Sequence, residues 1–368
     1  MMFEEINNEE LGHVYFLLKN NIVDESKHLG LSHVMEHACL MPYLNGEPLC
    51  DFRGRGYTCL DHIVLYYTSP VEEYLQTINN QMITKSIICN KNVIEAKHQV
   101  YEECLNLEKI TYIRKEIVDF VSNGRIKYNA MGNIHSIRGI SRNDVHIHLS
   151  TIIDSQLAYG FFFKSKDDVL TITNNILKEQ KKVFQEKDLC YPKIQGEDEI
   201  LELNGNSNTS KIEIFFKIPP FLDKGDYIAK TWFEYTLLNV SRKLLKVPIS
   251  VFDKYYTYTE RYIELSLFEK PSISYRSIID MIRDCMMKRI RNDSIDANEF
   301  NRFLYACLKI PRTTQDYINE FQNYILYGIP RFSQEDVRLA IKIRDKFCIF
   351  ETILLNPIKM VIMNSILG

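Results

Sequence analysis

No run of the chain approaches the roughly 18–20 consecutive apolar residues that a membrane-spanning helix needs, so no membrane span is expected. There is no Cys-x-x-Cys pair among the nine cysteines, and their number is odd. They read as reduced, mostly buried thiols rather than a disulfide framework. There is no excess of charge of either sign: 45 Lys and Arg stand against 48 Asp and Glu, a formal net charge of −3. No global field would then gather nucleic acid or anionic lipid. The short basic cluster Arg53–Arg55 is a loop feature, too small for a phosphate track. The N-terminal segment is acidic and polar, the reverse of a secretory n-region, so a cytoplasmic location is expected. No short-period repeat and no low-complexity tract is present.

What is present fits two domains. The 368 residues are too many for one ordinary domain, and 45% hydrophobic residues supply two cores. Residues 1–184 read as a first α/β domain, 185–207 as a polar linker marked by Pro192, Gly196 and Gly205, and 208–368 as a second domain of similar plan. In the first, strands are expected over 13–19, 57–68 and 156–163, and helices over 29–41, 71–88, 92–120 and 165–184. Residues 43–56 read as a loop, with Gly46, Pro48, Gly54 and Gly56 as punctuation. In the second, strands are expected over 211–218, within 255–268 and over 359–363. Helices are expected over 227–245, 272–291, 296–309, 314–327 and 334–347. The shared strand–helix–strand–helices order hints at duplication. The expected class is α+β: two related sandwiches, each a sheet covered by helices.

The chemistry concentrates in His33-Val-Met-Glu36-His37. On a helix, residues four apart share a face. His33 and His37 can thus offer two imidazole nitrogens to one zinc ion, which takes nitrogen ligands at about 2.0–2.1 Å in a tetrahedron. Glu36 sits close enough to reach a metal-activated water without being a ligand, and a carboxylate there can take a proton as the water attacks a carbonyl. The flanking Leu31, Val34, Met35, Ala38 and Leu40 are apolar, so the helix is expected to be buried. Burying two His and a Glu without a shared ion would be costly. Weaker features have plainer readings. His146 and His148 have strand spacing and read as the exposed polar face of a strand end. His62 reads as structural, Cys50 and Cys59 as small buried hydrophobes, and the tyrosines Tyr255, Tyr256, Tyr258 and Tyr262 as strand packing.

His-x-x-Glu-His is the inverted zinc motif, and the chain resembles the peptidase family of insulin-degrading enzyme, pitrilysin and the mitochondrial processing peptidase. Gly30-Leu31-Ser32-His33 is similar to the family's Gly-Leu-Ala-His. Arg55, Gly56, Tyr57 and Thr58, leading into Leu65-Tyr66-Tyr67, resemble its substrate-binding edge strand. Residues 132–145 resemble its Gly-x-x-x-x-Ile-x-x-Ile-Thr-x-x-Asp-Leu stretch. The resemblance covers residues 12–165; beyond that it rests on length and element order.

The resemblance implies a third ligand, a Glu on a later helix. The matching helix carries Glu102 and Glu103, nearer to the second His than is usual. Glu103 shares a helical face with Val100, Leu107 and Ile110, and Glu102 with His98, Asn106 and Lys109. The apolar face points inward, which favours Glu103, with Glu102 as the alternative. The family's further Glu, one helical repeat earlier, corresponds here to Ala96, with Glu95 beside it. The family also usually has a strand before the first one legible here.

Family members build a clamshell from four such domains, so this chain would be one half. The assisting half usually offers an Arg and a Tyr; Arg242 is the nearest match here, but Ile249 stands at the Tyr position and the next tyrosine is Tyr255. A heterodimer with a homologous subunit is then expected over a homodimer. The expected activity is that of a zinc metalloendopeptidase, one Zn2+ per chain, cleaving small or unfolded peptides that add as a strand at residues 55–58. Arg55, in place of the family's Asn, would shift the preference toward acidic residues. Bacteriocin or modified-peptide maturation and general peptide scavenging both fit. Two other readings compete: a non-catalytic scaffold subunit and a regulatory metal-binding protein.

Overall fold

The computed structural model describes residues 2–5, 12–19, 29–41, 43–44, 47–48, 53–126, 130–163, 196–204, 210–221, 224–255, 260–269, 271–291, 298–299, 301–303, 335–337 and 348–364. The chain forms two compact units: Met1–Thr111, Lys127–Gln185 and Thr313–Leu326 make the first; Tyr112–Ile126, Glu186–Arg312 and Tyr327–Gly368 make the second.

The first unit is built on a five-stranded sheet of order β1-β7-β2-β6-β5. Its strands are β1 (Met2–Glu5), β2 (Gly12–Lys19), β5 (Arg53–Thr58), β6 (His62–Ser69) and β7 (Leu157–Phe163). A two-stranded ribbon, β3 (Tyr43–Leu44) with β4 (Glu47–Pro48), precedes β5. Among its described strands, only β1 and β7 pair in parallel. The central β2 is buried along nearly its whole length, as expected of a strand with neighbours on both edges and cover on both faces. Val14, Phe16 and Leu18 face Tyr67, Leu65 and Ile63 across the β2–β6 register. These six join one core with α1 (Leu31–Cys39), α2 (Glu72–Ile83), the first part of α3 (Asn90–Ser122), α4 (Ile134–Gly139) and α5 (Arg142–Gln156).

Several expectations change here. A strand not read from the sequence, β1, precedes the first legible one, as the family usually has. Residues 53–58, read partly as loop, form a strand, and the single strand expected over 57–68 is a hairpin. Its turn is tied by Cys59 N–H donating to His62 O at 2.8 Å. Asp61 supplies the break that the flanking β-branched and aromatic residues hid. His146 and His148 lie on helix α5 and not on a strand. Val145, Leu149 and Ile152, at helical spacing, are its buried stripe. The helix expected over 165–184 lies outside the described residues.

The second unit repeats the topology. Its strands are β8 (Glu199–Asn204), β9 (Lys211–Ile218), β10 (Ile249–Tyr255), β11 (Arg261–Leu267) and β12 (Lys359–Asn364), in the order β10-β11-β9-β12-β8. Helix α6 (Lys224–Leu245) follows β9 as α1 follows β2, α7 (Tyr275–Arg291) follows β11, and α8 (Cys348–Leu355) precedes β12. The parallel pair recurs between β8 and β12. The segment read as a linker therefore contains β8, and strand β10 and helix α8 were not foreseen. Of the helices expected over 296–309, 314–327 and 334–347, all but a few residues lie outside the described ones. The core packs Trp232, Phe233 and Leu237 of α6 against Ile214, Phe216, Ile263 and Leu265. On the opposite sheet face Phe215, Tyr262 and Val361 pack with Ile117 and Val121, from the last turns of α3. Between α6 and the edge pair β10–β11, Lys230 donates to Asp253 at 2.5 Å and to Glu234 at 2.8 Å, and Arg261 chelates Asp253.

Candidate metal centre

Helix α1 is only nine residues long, too short to be stable by propensity alone. Packing holds it. Val34, Met35, Ala38 and Cys39 are fully buried, and two such medium-sized apolar side chains contribute about 3–6 kcal/mol. The start of the helix is fixed by backbone contact. Gly30 is left-handed, with φ 90°, and so is Gly132, with φ 77°. A Cβ on Gly30 would come within 2.9 Å of Met131 O, and one on Gly132 within 2.5 Å of Leu29 O. Ser136 Oγ donates to Leu29 O at 2.5 Å, and Ser32 Oγ pairs with His148 Nε2 at 2.8 Å. His148, read as an idle surface residue, thus braces the helix. At the far end the Asn92 amide donates to Ala38 O and Met41 O, and Tyr67 OH donates to Cys39 O. These bonds satisfy the carbonyls that a helix end leaves open.

On this braced helix, His33 and His37 stand one turn apart with ring centroids 4.8 Å from each other. Both Nε2 atoms face Glu103 of α3: His33 Nε2 is 3.4 Å from Oε2 and His37 Nε2 is 3.5 Å from Oε1. One donor atom from each of the three residues lies within 4.8 Å of the other two. Glu102, the alternative, is exposed. The neighbouring histidines hold the Glu103 carboxyl below its ordinary pKa, through the His33 hydrogen bond first, against the opposing effect of burial.

Glu36 points between this group and the hairpin. It is 3% exposed. Thr58 Oγ1 donates to its Oε2 at 2.6 Å. Burial raises the Glu36 pKa above the ordinary carboxylate value, more than Thr58 and the two histidines lower it. Gly56 makes room for it: a Cβ there would sit 2.8 Å from Glu36 Oε1 and 2.8 Å from Val64 O. A cavity of about 350 Å³ opens here, lined by His33, Glu36, His37, Gly56, Tyr57, Thr58 and Glu103, with Leu40, Ala130 and Met131 closing it.

Strand β5 pairs with β6 alone among the described strands, so it is an edge. Strand alternation separates its residues: Gly56 and Thr58 meet Glu36, whereas Arg55 is exposed beside Tyr66, its partner across the strand pair. Arg55 does not line the cavity. Arg242 lies exposed in the last turn of α6 and Ile249 opens β10, on either side of the connection between the two elements.

Sequence reasoning passed over one site residue. Gln99 Oε1 lies 2.9 Å from His37 Nδ1. It stands four residues before Glu103, on the same helical face, and that spacing was legible. Thr58 was read as a peptide-binding position; its hydroxyl also serves Glu36.

The group fits a metal ion. Donors held at about 2.1 Å in a tetrahedron are about 3.4 Å apart; His33 stands 3.4 Å from one Glu103 oxygen and His37 3.5 Å from the other, and one donor atom from each residue lies within 4.8 Å of the other two. Two neutral imidazoles and a carboxylate are the donor set of a zinc site that keeps one position open.

No family model and no curated protein matches the sequence. Solved structures share the fold along nearly the whole chain. A protein described as an M16-like peptidase from Alicyclobacillus acidocaldarius superposes with a TM-score of 0.70 at 13% identity, over 99% of this chain and 95% of that one. An M16 peptidase inactive domain from Pseudomonas fluorescens gives 0.66 at 11% identity, over 99% and 94%. The periplasmic protease PqqL from Escherichia coli gives 0.69 at 10% identity, over 98% of this chain but 46% of that protein. The chain therefore has the fold of M16-like peptidases, a fold that carries both active and inactive members. Among the described residues, no helix is long and apolar enough to cross a membrane.

Proposed function

We propose that the chain is the zinc-holding subunit of a metalloendopeptidase, with His33, His37 and Glu103 as ligands of one ion and Glu36 as general base. One observation carries the reading: donor atoms of His33, His37 and Glu103 gather within 4.8 Å of one another beside a second, buried carboxylate, Glu36, that is held by Thr58. A purely structural cluster has no use for Glu36 in that place.

Bound zinc would supply Lewis acidity, polarising a carbonyl and acidifying a water. The chain's own residues do the rest. The Thr58 hydroxyl fixes one oxygen of Glu36, leaving the other to take a proton from the attacking water and return it to the leaving amine. The desolvated position of Glu36, with its raised pKa, suits a group that must hold a proton in passing. A peptide would extend the sheet along β5, its main chain bonding to the free edge. Gly56 gives that main chain close approach, while Tyr57 and the apolar Leu40, Ala130 and Met131 receive side chains. Exposed Arg55 would act on the peptide's flanks, favouring acidic residues.

The chain matches about half of PqqL and carries Ile249 where an assisting Tyr would be needed. A homologous partner subunit is proposed to supply the assisting residues, in a heterodimer in the cytoplasm. Maturation of a ribosomally made peptide, such as a bacteriocin, suits a small dedicated enzyme of this kind; a general peptide scavenger is the other use.

The test is Glu36→Gln in the assembled complex. The variant is expected to keep one zinc per chain by elemental analysis and to lose cleavage by at least about 100-fold. Unchanged cleavage would assign the chain a non-catalytic place in the complex, as in the inactive M16 domain whose fold it shares.

A further inference from the structure

We infer that Gln99 is the positioning residue of the metal centre: its side-chain carbonyl takes the Nδ1–H of His37 and so leaves Nε2, which faces Glu103, as the lone-pair donor. The inference rests on the metal reading above. A neutral imidazole has one N–H and one lone pair, and which nitrogen carries the proton is set by the partner of the other. His37 Nδ1 meets Gln99 Oε1 at 2.9 Å, and His37 Nε2 lies 3.5 Å from Glu103 Oε1. One acceptor on one side of the ring thus fixes the donor on the other.

The two histidines differ in this respect. His33 Nδ1 is buried and has no hydrogen-bond partner among the described residues. His33 is held by the packing of its helix and is 7% exposed. His37 stands nearer the open side and depends on Gln99 for its orientation. Gln99 and Glu103 lie one turn apart on α3, so a single helix turn provides both a candidate ligand and the group that aims another.

The identity of the residue has a consequence for charge. Glu36 and Glu103 already place two carboxylates in the cavity, which balance one divalent ion. A carboxylate at position 99 would add a third negative charge and strengthen His37 as a donor. An amide orients the ring without that charge. The site is therefore aimed but not driven to maximal affinity.

The experiment measures zinc affinity of the purified full chain by competition with a chromophoric chelator, for wild type, Gln99→Ala and Gln99→Glu. Gln99→Ala is expected to bind zinc about 10–100-fold more weakly, and Gln99→Glu to match or exceed wild type. Gln99 is exposed, so the unfolding midpoint of the zinc-free chain should be the same in all three. In parallel, nitrogen-15 histidine spectra of the zinc-free chain should show His37 as the Nδ1–H tautomer in wild type and as a mixture in Gln99→Ala. Zinc affinity of Gln99→Ala within twofold of wild type, or an unchanged His37 tautomer, overturns the inference. A wild-type chain that takes up no zinc would sink the metal reading instead, and the tautomer would still decide whether Gln99 aims the ring.

Discussion

Gly56 lies directly against the Glu36 carboxylate, with no space between them for a methyl group. The edge strand and the buried acid are thus fitted to each other at one position. Gly56→Ala should push Glu36 from Thr58 or force β5 away from β6, because Val64 O blocks the other side. Overpacking of this kind costs about 1–3 kcal/mol. The expected outcome is an unfolding free energy, from urea titration, lowered by that amount and cleavage reduced at least tenfold, with zinc content retained. Wild-type cleavage by the alanine variant would show that the close fit plays no part in the chemistry.

Thr58→Val keeps the shape of the side chain and removes the donor to Glu36 Oε2. A buried carboxylate left without that bond is destabilised by about 1–3 kcal/mol. If Glu36 is the proposed base, the turnover rate is expected to fall about tenfold or more while KM changes little, since the hydroxyl donates to Glu36. Steady-state kinetics on a fluorogenic peptide separates the two constants. A change confined to KM would move Thr58 into peptide binding.

His62 predicts a pH dependence of stability. It is 2% exposed, and burial alone would lower its pKa; the Asp61 hydrogen bond at 2.8 Å and the Cys59 side chain raise it to about 9. The folded value lies above the ordinary histidine value of about 6.5, so the folded chain holds this proton more tightly than the unfolded one. Its stabilisation is complete below about pH 6.5 and is lost as pH rises through about 9, up to about 3 kcal/mol. Urea unfolding at a series of pH values should show this loss, and Asp61→Asn should flatten it. An equal slope in the variant would remove His62 as its source.

In the second unit, Asp253 holds two buried cations. Lys230 is 3% exposed and Arg261 is 6% exposed. Burial works against the Lys230 charge, but Asp253 and Glu234 keep its pKa above the ordinary lysine value. Asp253, for its part, is held well below the ordinary carboxylate range by Lys230 and Arg261. Asp253→Ala should cost about 1.5–3 kcal/mol, because it removes the carboxylate that Arg261 chelates and leaves Lys230 with Glu234 alone of the two. The replacement of Lys230 and Asp253 together by Met and Leu should cost less. Chemical unfolding of the two variants compares them directly.

A chain purified alone is expected to bind zinc and cleave slowly, and a homologous partner chain should raise the rate. Chelation should abolish cleavage and lower the unfolding midpoint. Full activity in the isolated chain, by peptide assay at a mass confirmed as monomer, would remove the need for a partner.

That the candidate residues would lie together was legible in the sequence, for a physical reason. His33, Glu36 and His37 sit on one short helix, where fixed spacing becomes fixed geometry. Glu103 was favoured over Glu102 because an apolar neighbour such as Val100 marks the inward phase of a helix. Readings failed where two periodicities overlap. Histidines two apart suit a strand, but the buried Val145, Leu149 and Ile152 obey helical spacing. Strand β8 was taken for linker because it is short and flanked by polar and glycine residues. The turn at Cys59–His62 was hidden because the residues on both sides favour strands. Gln99 was missed because an amide announces no chemistry until its partner is seen.

The lock at Gly30 also has an order in time. Its partners Met131 and Gly132, with Ser136 on Leu29 and His148 on Ser32, are all synthesised about a hundred residues later. As the chain leaves the ribosome, both histidines emerge first, Tyr67 and Asn92, which hold the far end of their helix, come next, and Glu103 follows before the lock at Gly30 closes. The nascent chain therefore carries all three candidate donor residues before the start of their helix is locked, and that end of the helix can be held only after residue 148 has been made.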